Sequence, residues 1–207
     1  MLPMPVRIKF TQKGIMQFIS HLDVDRTMKT VMVRAKIPVH YTEGFNPHPK
    51  LVFGLPLSIG VESECEYMDF KVDAEMTYEE ITDKLNAALP DQMRVVEAYE
   101  PKLSLSYIAF TEYKVFCAED TDLSPLEKEE IIVSKRQKKG GYKDTDIKPM
   151  IHSYSRCEGG FTLVLSASPD AYLRPEYVLG VLGLDDCEVT RTRVFRKNRI
   201  GEPIDFR

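Results

Sequence analysis

The spacing of hydrophobic residues predicts a strand and then a helix at the start of the chain. In VRIKFTQ (6–12) apolar and polar residues alternate, which is typical of a half-buried strand. From Ser20 the apolar residues follow the period of a helix, and they are Val24, Met28, Val31, Met32 and Ala35. Ser20 and Asp23 have the spacing of a capping box, and Pro38 lies just beyond the expected helix end.

The rest of the first half continues the same succession of elements. LVFGLPL and CEYMDFKVD are predicted strands, and TYEEITDKLNAALP (77–90) is a predicted helix with Thr77 and Glu80 as its capping box. MRVVEAYE (93–100) is the last strand of this half. The predicted order is β-α-β-β-α-β.

A similar order is predicted for the second half. It consists of a strand at 105–118, a helix at 124–135, a segment that turns at Gly159-Gly160 into the strand FTLVLSAS, a helix in RPEYVLGVLG, and a final strand in CEVTRTRVF. Repetition of β-α-β-β-α-β is typical of ferredoxin-like folds, in which the helices cover one face of an antiparallel sheet. We therefore predict an α+β protein with two tandem ferredoxin-like units, 1–101 and 102–207.

Composition limits the class of protein without identifying its activity. The 207 residues are 43% hydrophobic and 29% charged, as in ordinary globular proteins. No apolar run is long enough for a membrane span, and the N-terminus lacks the apolar core of a signal peptide, so we expect a cytoplasmic protein without membrane association. The four cysteines are widely spaced, and we expect them to be reduced.

The net charge of −4 is unevenly distributed. Residues 1–61 contain eight Lys or Arg and three Asp or Glu, whereas 62–100 contain three basic and twelve acidic residues. The C-terminal stretch 191–199 is basic again, and we predict that it forms an anion-binding tail through Arg191, Arg193, Arg196, Lys197 and Arg199. This asymmetry favours an anionic partner on one face, although scattered solvated charge explains it equally well.

The segment YTEGFNPHPK (41–50) is unusually rigid for a connection. Pro47 and Pro49 fix their own φ angles and bias the residues before them toward extended geometry. Such a segment displays polar side chains at fixed spacing and loses little entropy on binding, but a purely structural connection has the same needs. Both interpretations stay open on the residues alone.

Polar residues of the first helix extend this candidate site. Because the loop follows the helix, we expect its side chains to lie near the helix start and to form one pocket for a phosphate or a base edge. The predicted binding residues are His21, Asp23, Arg26, Arg34, Tyr41, Glu43, Phe45, Asn46, His48 and Lys50. A solvated helix face with one capping residue is the alternative.

The motifs FISHLD (18–23), the Arg-bearing helix, Ile37-Pro38, YTEGFNPHPK and the stretch from Leu57 to Asp69 together resemble a bacterial radical-SAM-linked protein family of uncharacterised function. Thr42 stands where the family pattern has Ser, and the helix has fewer arginines than the pattern leads us to expect. DIKPMI (146–151) and TRTRVF (190–195) are also similar to it. The resemblance implies association with a radical SAM protein rather than a particular reaction.

The chain is not itself a radical SAM enzyme of the usual kind. Its cysteines stand 52, 40 and 30 residues apart, whereas that chemistry needs three closely spaced thiolates. Nucleotide-binding and hydrolase motifs are absent, and we expect no cofactor. His21, Glu43 and His48 are the candidates for proton transfer or for a metal, but their spacing matches no recognised site.

Three functional hypotheses remain. The favoured one is an accessory protein that binds RNA or another anionic substrate for a radical SAM partner and is not catalytic alone. The second is an RNA-acting enzyme that uses His21 or His48. The third is a protein–protein adaptor that docks through the free face of a sheet.

Overall fold

The computed structural model describes residues 2–136 and 140–206, which divide into two compact units. The first unit extends to Tyr107 and the second comprises Ile108–Phe206. Together the described residues form a mixed α+β fold with three α-helices and mainly antiparallel strands.

The first unit has the predicted order of elements. They are β1 (Met4–Gln12), α1 (His21–Arg34), β2 (Val52–Phe53), β3 (Val61–Val72), α2 (Tyr78–Ala88) and β4 (Met93–Tyr99), with a 3-10 helix, Gly14–Phe18, before α1. β1 pairs with β4 on one side and with β3 on the other, and β2 pairs with the far edge of β3. The strand order is therefore β4-β1-β3-β2, and all three pairings are antiparallel.

Both helices of the first unit pack on the same face of this sheet. The buried core contains alternate residues of β1 (Val6, Ile8 and Phe10) together with Met28 of α1 and Leu85 of α2. Since side chains alternate along a strand, the residues between them lie on the opposite face. That arrangement leaves Arg7 and its neighbours on the face without helices.

The predicted N-cap of α1 and the predicted capping box of α2 are confirmed. The Ser20 hydroxyl accepts a hydrogen bond from the Asp23 backbone N–H at 3.2 Å. At α2 the Thr77 hydroxyl accepts from the Glu80 N–H at 3.1 Å, while the Glu80 carboxylate accepts from the Thr77 N–H at 2.9 Å. These contacts satisfy donors that a helix N-terminus otherwise leaves free.

The second unit is richer in strands than predicted. Its elements are β5 (Ile108–Phe116), β6 (Ile132–Arg136), β7 (Tyr142–Asp146), β8 (Ile151–Cys157), β9 (Gly160–Ser168), β10 (Ala171–Tyr172), α3 (Pro175–Leu182), β11 (Glu188–Lys197) and β12 (Pro203–Asp205). β9 pairs with β5, β8 and β10, and β11 pairs with β5 and β12. β6 and β7 form a separate two-stranded sheet. The predicted turn at Gly159-Gly160 is confirmed, with φ angles of 75° and 149°.

The predicted helix at 124–135 is wrong. Ser124–Glu127 forms a 3-10 helix only, and Ile132–Arg136 is strand β6. The run Ile131, Ile132 and Val133 explains the difference, because β-branched side chains have restricted rotamers in a helix and suit a strand. The second unit therefore lacks the β-α-β-β-α-β order, and the prediction of two tandem ferredoxin-like units is not confirmed.

Candidate functional site

The loop motif 41–50 closes on itself and is attached to the end of β3. The His40 N–H donates to the Lys71 carbonyl at 2.8 Å, and the Lys50 N–H donates back to the His40 carbonyl at 3.1 Å. One step further in, the Thr42 N–H donates to the His48 carbonyl at 2.9 Å. Tyr41 and Pro49 face each other in an isolated bridge. The loop is thus a short hairpin whose base is fixed to the sheet.

Side-chain contacts complete the closure of this hairpin. The Thr42 hydroxyl accepts from the His48 N–H at 3.2 Å, and Nδ1 of His48 lies 3.1 Å from the Asn46 carbonyl. Glu43, Phe45 and Asn46 lie exposed at the tip. His48 therefore maintains the shape of the loop through Nδ1, whereas the tip side chains face solvent.

A groove lies beside the base of the loop, and Lys50 is one of its walls. The lining residues are Pro5, His40, Lys50, Val52, Asp69, Phe70, Lys71 and Pro101. Nδ1 of His40 also lies 2.9 Å from the Asp73 carboxylate, which holds the ring in place. The groove combines two exposed lysines with an apolar lining.

The carboxylate in this lining, Asp69, is already paired. Nε and Nη2 of Arg7 donate to its two oxygens at 2.6 and 2.7 Å, and Nη2 also donates to the Leu103 carbonyl at 2.7 Å. Burial alone would lower the pKa of Arg7, but its hydrogen bonds to Asp69 raise the pKa above the ordinary value. Arg7 therefore stays charged and offsets Asp69, which leaves the charges of Lys50 and Lys71 available to an anion.

Two tyrosines lie near the buried Arg7. Burial raises the pKa of Tyr67 and of Tyr99, so both phenols are protonated at neutral pH. They add no negative charge to this face of the sheet.

The start of α1 lies at a different recess. The His21 ring meets the Phe53 ring edge-on at 5.1 Å. With Glu66 and Gln12, His21 lines a small recess whose other walls are apolar. Glu66 in turn accepts a hydrogen bond from the Ser63 hydroxyl at 2.6 Å. Within residues 2–136, no hydrogen bond or ion pair joins His21 to the loop.

The polar stripe of α1 borders the C-terminal end of α2. The Asp23 carboxylate accepts from the Ser20 hydroxyl at 2.6 Å and from Arg26 at 3.1 Å, and these contacts lower the pKa of Asp23. Arg26 and Arg34 line a second groove with the C-terminal end of α2, at Ala88–Pro90. The predicted binding residues are thus distributed over three neighbourhoods.

The basic residues near the C-terminus do not form a free tail. Strand β11 includes Arg191, Arg193, Arg196 and Lys197, while Arg199 is exposed in the turn before β12. Arg191 is buried and donates to the Tyr113 hydroxyl at 3.2 Å. The Arg191 side chain thus lies buried beside Tyr113 rather than in solvent, unlike that of an anion-binding tail.

His40 and Lys71 line the groove but are not among the binding residues predicted from the sequence. Lys71 belongs to the strand CEYMDFKVD, in which polar and apolar positions alternate. Its neighbours Phe70 and Val72 face the helices, so this alternation already indicates that Lys71 lies on the face without helices.

The structure also bears on metal ions and membranes. Across residues 2–136 and 140–206, no group of three or more His, Cys, Asp or Glu side chains is placed to hold a metal ion. His21 packs against Phe53, Glu43 lies at the loop tip, and His48 closes the loop base. In those same ranges no helix is both long and apolar enough to cross a membrane.

Comparison with known proteins assigns a family. No curated protein matches the chain. A family model described as "uncharacterized protein conserved in bacteria" matches residues 6–175, which include the loop motif and every groove residue except Pro5. The chain therefore belongs to this bacterial family, DUF2344.

Proposed function

We propose that the first unit is a ferredoxin-like accessory module that holds an anionic ligand, such as RNA or another phosphate-bearing molecule, for a partner enzyme. The observation that carries this proposal is the groove at the loop base, where Lys50 and Lys71 lie beside a carboxylate that Arg7 already neutralises. Lysine is a common partner of phosphate because its ammonium is a compact, hydrated point charge.

The groove also has a surface for an apolar part of the ligand. Pro5, Val52 and Pro101 line the groove together with the two lysines. A ligand that combines a phosphate with a flat base fits this mixture of charge and apolar surface. The exposed Phe45 at the loop tip offers a further face on which a base can stack.

The partner in this proposal is a radical SAM protein. The supporting observation is the resemblance of the FISHLD and YTEGFNPHPK motifs to the radical-SAM-linked family. The cysteines of this chain are too widely spaced for the usual cluster motif, so in this proposal the partner supplies the cluster-binding thiolates.

A binding experiment with paired variants tests the groove. The probe is a short, fluorescein-labelled single-stranded RNA of mixed sequence, and the readout is fluorescence anisotropy at several salt concentrations. The variant Lys50→Ala/Lys71→Ala removes the exposed cations of the groove, and Lys84→Ala removes an exposed lysine from α2 as the control. We expect the double variant to bind about tenfold or more weakly. The slope of log affinity against log salt concentration should also become shallower by about 0.7 for each lost phosphate contact. Equal affinity of the double variant and the control would overturn the proposal for the groove.

The partner is tested separately. We expect affinity purification of the tagged chain from its native cells, followed by mass spectrometry, to enrich a protein with a closely spaced cysteine triad. Enrichment of no such protein over a tag-only control would refute the radical SAM association.

A further inference from the structure

The two-stranded sheet of the second unit carries basic residues that the proposed groove does not use. β6 and β7 pair in register, with Lys135 opposite Lys143 and Arg136 opposite Tyr142. Because residues directly opposite share a face, the two lysines project from one side of the ribbon, and Arg136 and Tyr142 project from the other. We call this pair of strands the basic ribbon.

The pairing of two lysines is unfavourable in the free protein. Like charges directly opposite each other on adjacent strands repel and destabilise the sheet. An anion beside these two side chains would offset the repulsion, so this face of the ribbon favours negative charge.

A third cation lies close to the same face. The Lys135 ammonium lies 5.3 Å from the centre of the Tyr177 ring, and the Arg174 guanidinium lies 5.1 Å from it. Nη2 of Arg174 also donates to the Tyr177 hydroxyl at 3.2 Å. Partial burial, together with the charge of Arg174, lowers the pKa of Lys135. Two cations thus lie close to one tyrosine ring.

The acidic residues nearby do not neutralise these cations. Asp146 accepts hydrogen bonds from the backbone N–H groups of Ile131 and Lys148, both at 2.9 Å, so its carboxylate is directed to the ribbon base. Asp144 lies opposite Ser134, on the same face as Arg136 and Tyr142.

Glu176 is the remaining carboxylate that influences this cluster. Its charge raises the pKa of Arg174, but less than the hydrogen bond to Tyr177 does. Among the described residues, neither Lys135 nor Arg174 forms an ion pair with a carboxylate. The cluster consequently keeps an excess of positive charge.

The opposite face of the ribbon offers an aromatic surface. Tyr142 is 74% exposed and lies beside Arg136, which is also exposed. Exposed tyrosine beside arginine is the combination on which unpaired bases stack, with the cation meeting the backbone.

We propose that the basic ribbon is a binding site for single-stranded RNA. Lys135, Lys143 and Arg174 attract backbone phosphates on one face of the ribbon, and Tyr142 stacks on a base of the same strand where it passes to the other face. The inference deepens the proposed function by naming RNA as the ligand class and rests on it to that extent, but the ribbon belongs to the other unit and can be tested apart from the groove.

The test compares two variants of the ribbon with the wild-type chain. The probe is the same labelled single-stranded RNA, and thermal unfolding is measured in parallel without RNA. Lys143→Thr removes one phosphate contact and the lysine–lysine repulsion. We expect it to weaken binding about tenfold and to make the slope of log affinity against log salt concentration shallower by about 0.7. Relief of the repulsion should raise the Tm by about 1–2 °C.

Tyr142→Ala supplies a second, independent measurement. We expect it to weaken binding about tenfold without changing the salt dependence, because stacking releases no counterions. An unchanged affinity of both variants would overturn the proposal. So would a lowered Tm of Lys143→Thr with unchanged RNA affinity, since that would make the lysine structural. Tighter binding of polyglutamate than of RNA at the ribbon would assign it to an acidic protein instead.

Combining the ribbon and groove variants separates the two proposals. If Lys143→Thr weakens RNA binding and Lys50→Ala/Lys71→Ala does not, the ribbon proposal stands and the groove proposal fails. The reverse result removes the ribbon and keeps the groove.

Discussion

The pair formed by Arg7 and Asp69 provides a sharp test of how the first unit is held together. Arg7 is completely buried, and its guanidinium donates to both oxygens of Asp69 at 2.6 and 2.7 Å across the β1–β3 ladder. The perturbation is Asp69→Ala, which removes the carboxylate from the buried guanidinium, while the Leu103 carbonyl still accepts from Nη2.

The magnitude follows from burial. Removal of one partner of a buried ion pair costs about 3–5 kcal/mol, because the other charge stays uncompensated in a poorly solvated place. The pair formed by Lys13 and Glu64, with side chains 45% and 48% exposed, offers the contrast. Glu64→Ala should cost at most about 1 kcal/mol, because water screens exposed pairs.

The assay is urea-induced unfolding followed by far-ultraviolet circular dichroism. We expect Asp69→Ala to lose at least about 2 kcal/mol more stability than Glu64→Ala. The double variant Arg7→Met/Asp69→Leu removes both charges and should recover most of the loss, because no buried charge is left. Equal losses for Asp69→Ala and Glu64→Ala, or a double variant less stable than Asp69→Ala, would refute the reasoning.

Two further predictions concern a helix cap and a turn. Ser20→Ala should cost about 1 kcal/mol in unfolding experiments at neutral pH, because it removes the acceptor for the first turn of α1. The Ser20 hydroxyl also lowers the pKa of Asp23 below its ordinary value of 3.8. The stability that ionised Asp23 gains from this contact is therefore present above pH 3.8 and is lost as the pH falls through the folded pKa. A stability difference between wild type and variant that is unchanged in acid would contradict this. Gly160→Ala places a Cβ 2.0 Å from the Val115 carbonyl oxygen at a φ of 149°, whereas Gly201→Ala meets open space. We expect Gly160→Ala to be at least about 2 kcal/mol less stable than Gly201→Ala, and similar melting temperatures would disprove the clash.

The helices of the first unit could be predicted because local signals determine them. Ser20, Thr77 and Glu80 each act within one helical turn, and the apolar period of α1 marks the face that enters the core. The error at 124–135 has the opposite cause. Ser124 and Pro125 do begin a helical turn, but pairing with β7 makes Ile132–Arg136 a strand, and a pairing partner is not visible in the local pattern.

The candidate site could be predicted only in part for a similar reason. The stiffness of the loop is a local property, and the structure has the loop as a closed hairpin. Which residues lie next to Lys50 depends on the pairing of β2 with β3, which brings Lys71 to the groove from 21 positions away in the sequence. The pocket predicted from the sequence included residues of α1 instead, and the start of α1 lies against Phe53.

The self-closure of the loop through Thr42 and His48 has a practical consequence. Because the bonds that define the hairpin lie at its base, the side chain of Phe45 can be exchanged for an environment-sensitive dye without removing any of them. A dye at that position would report, by its emission, a ligand that reaches the tip of the loop.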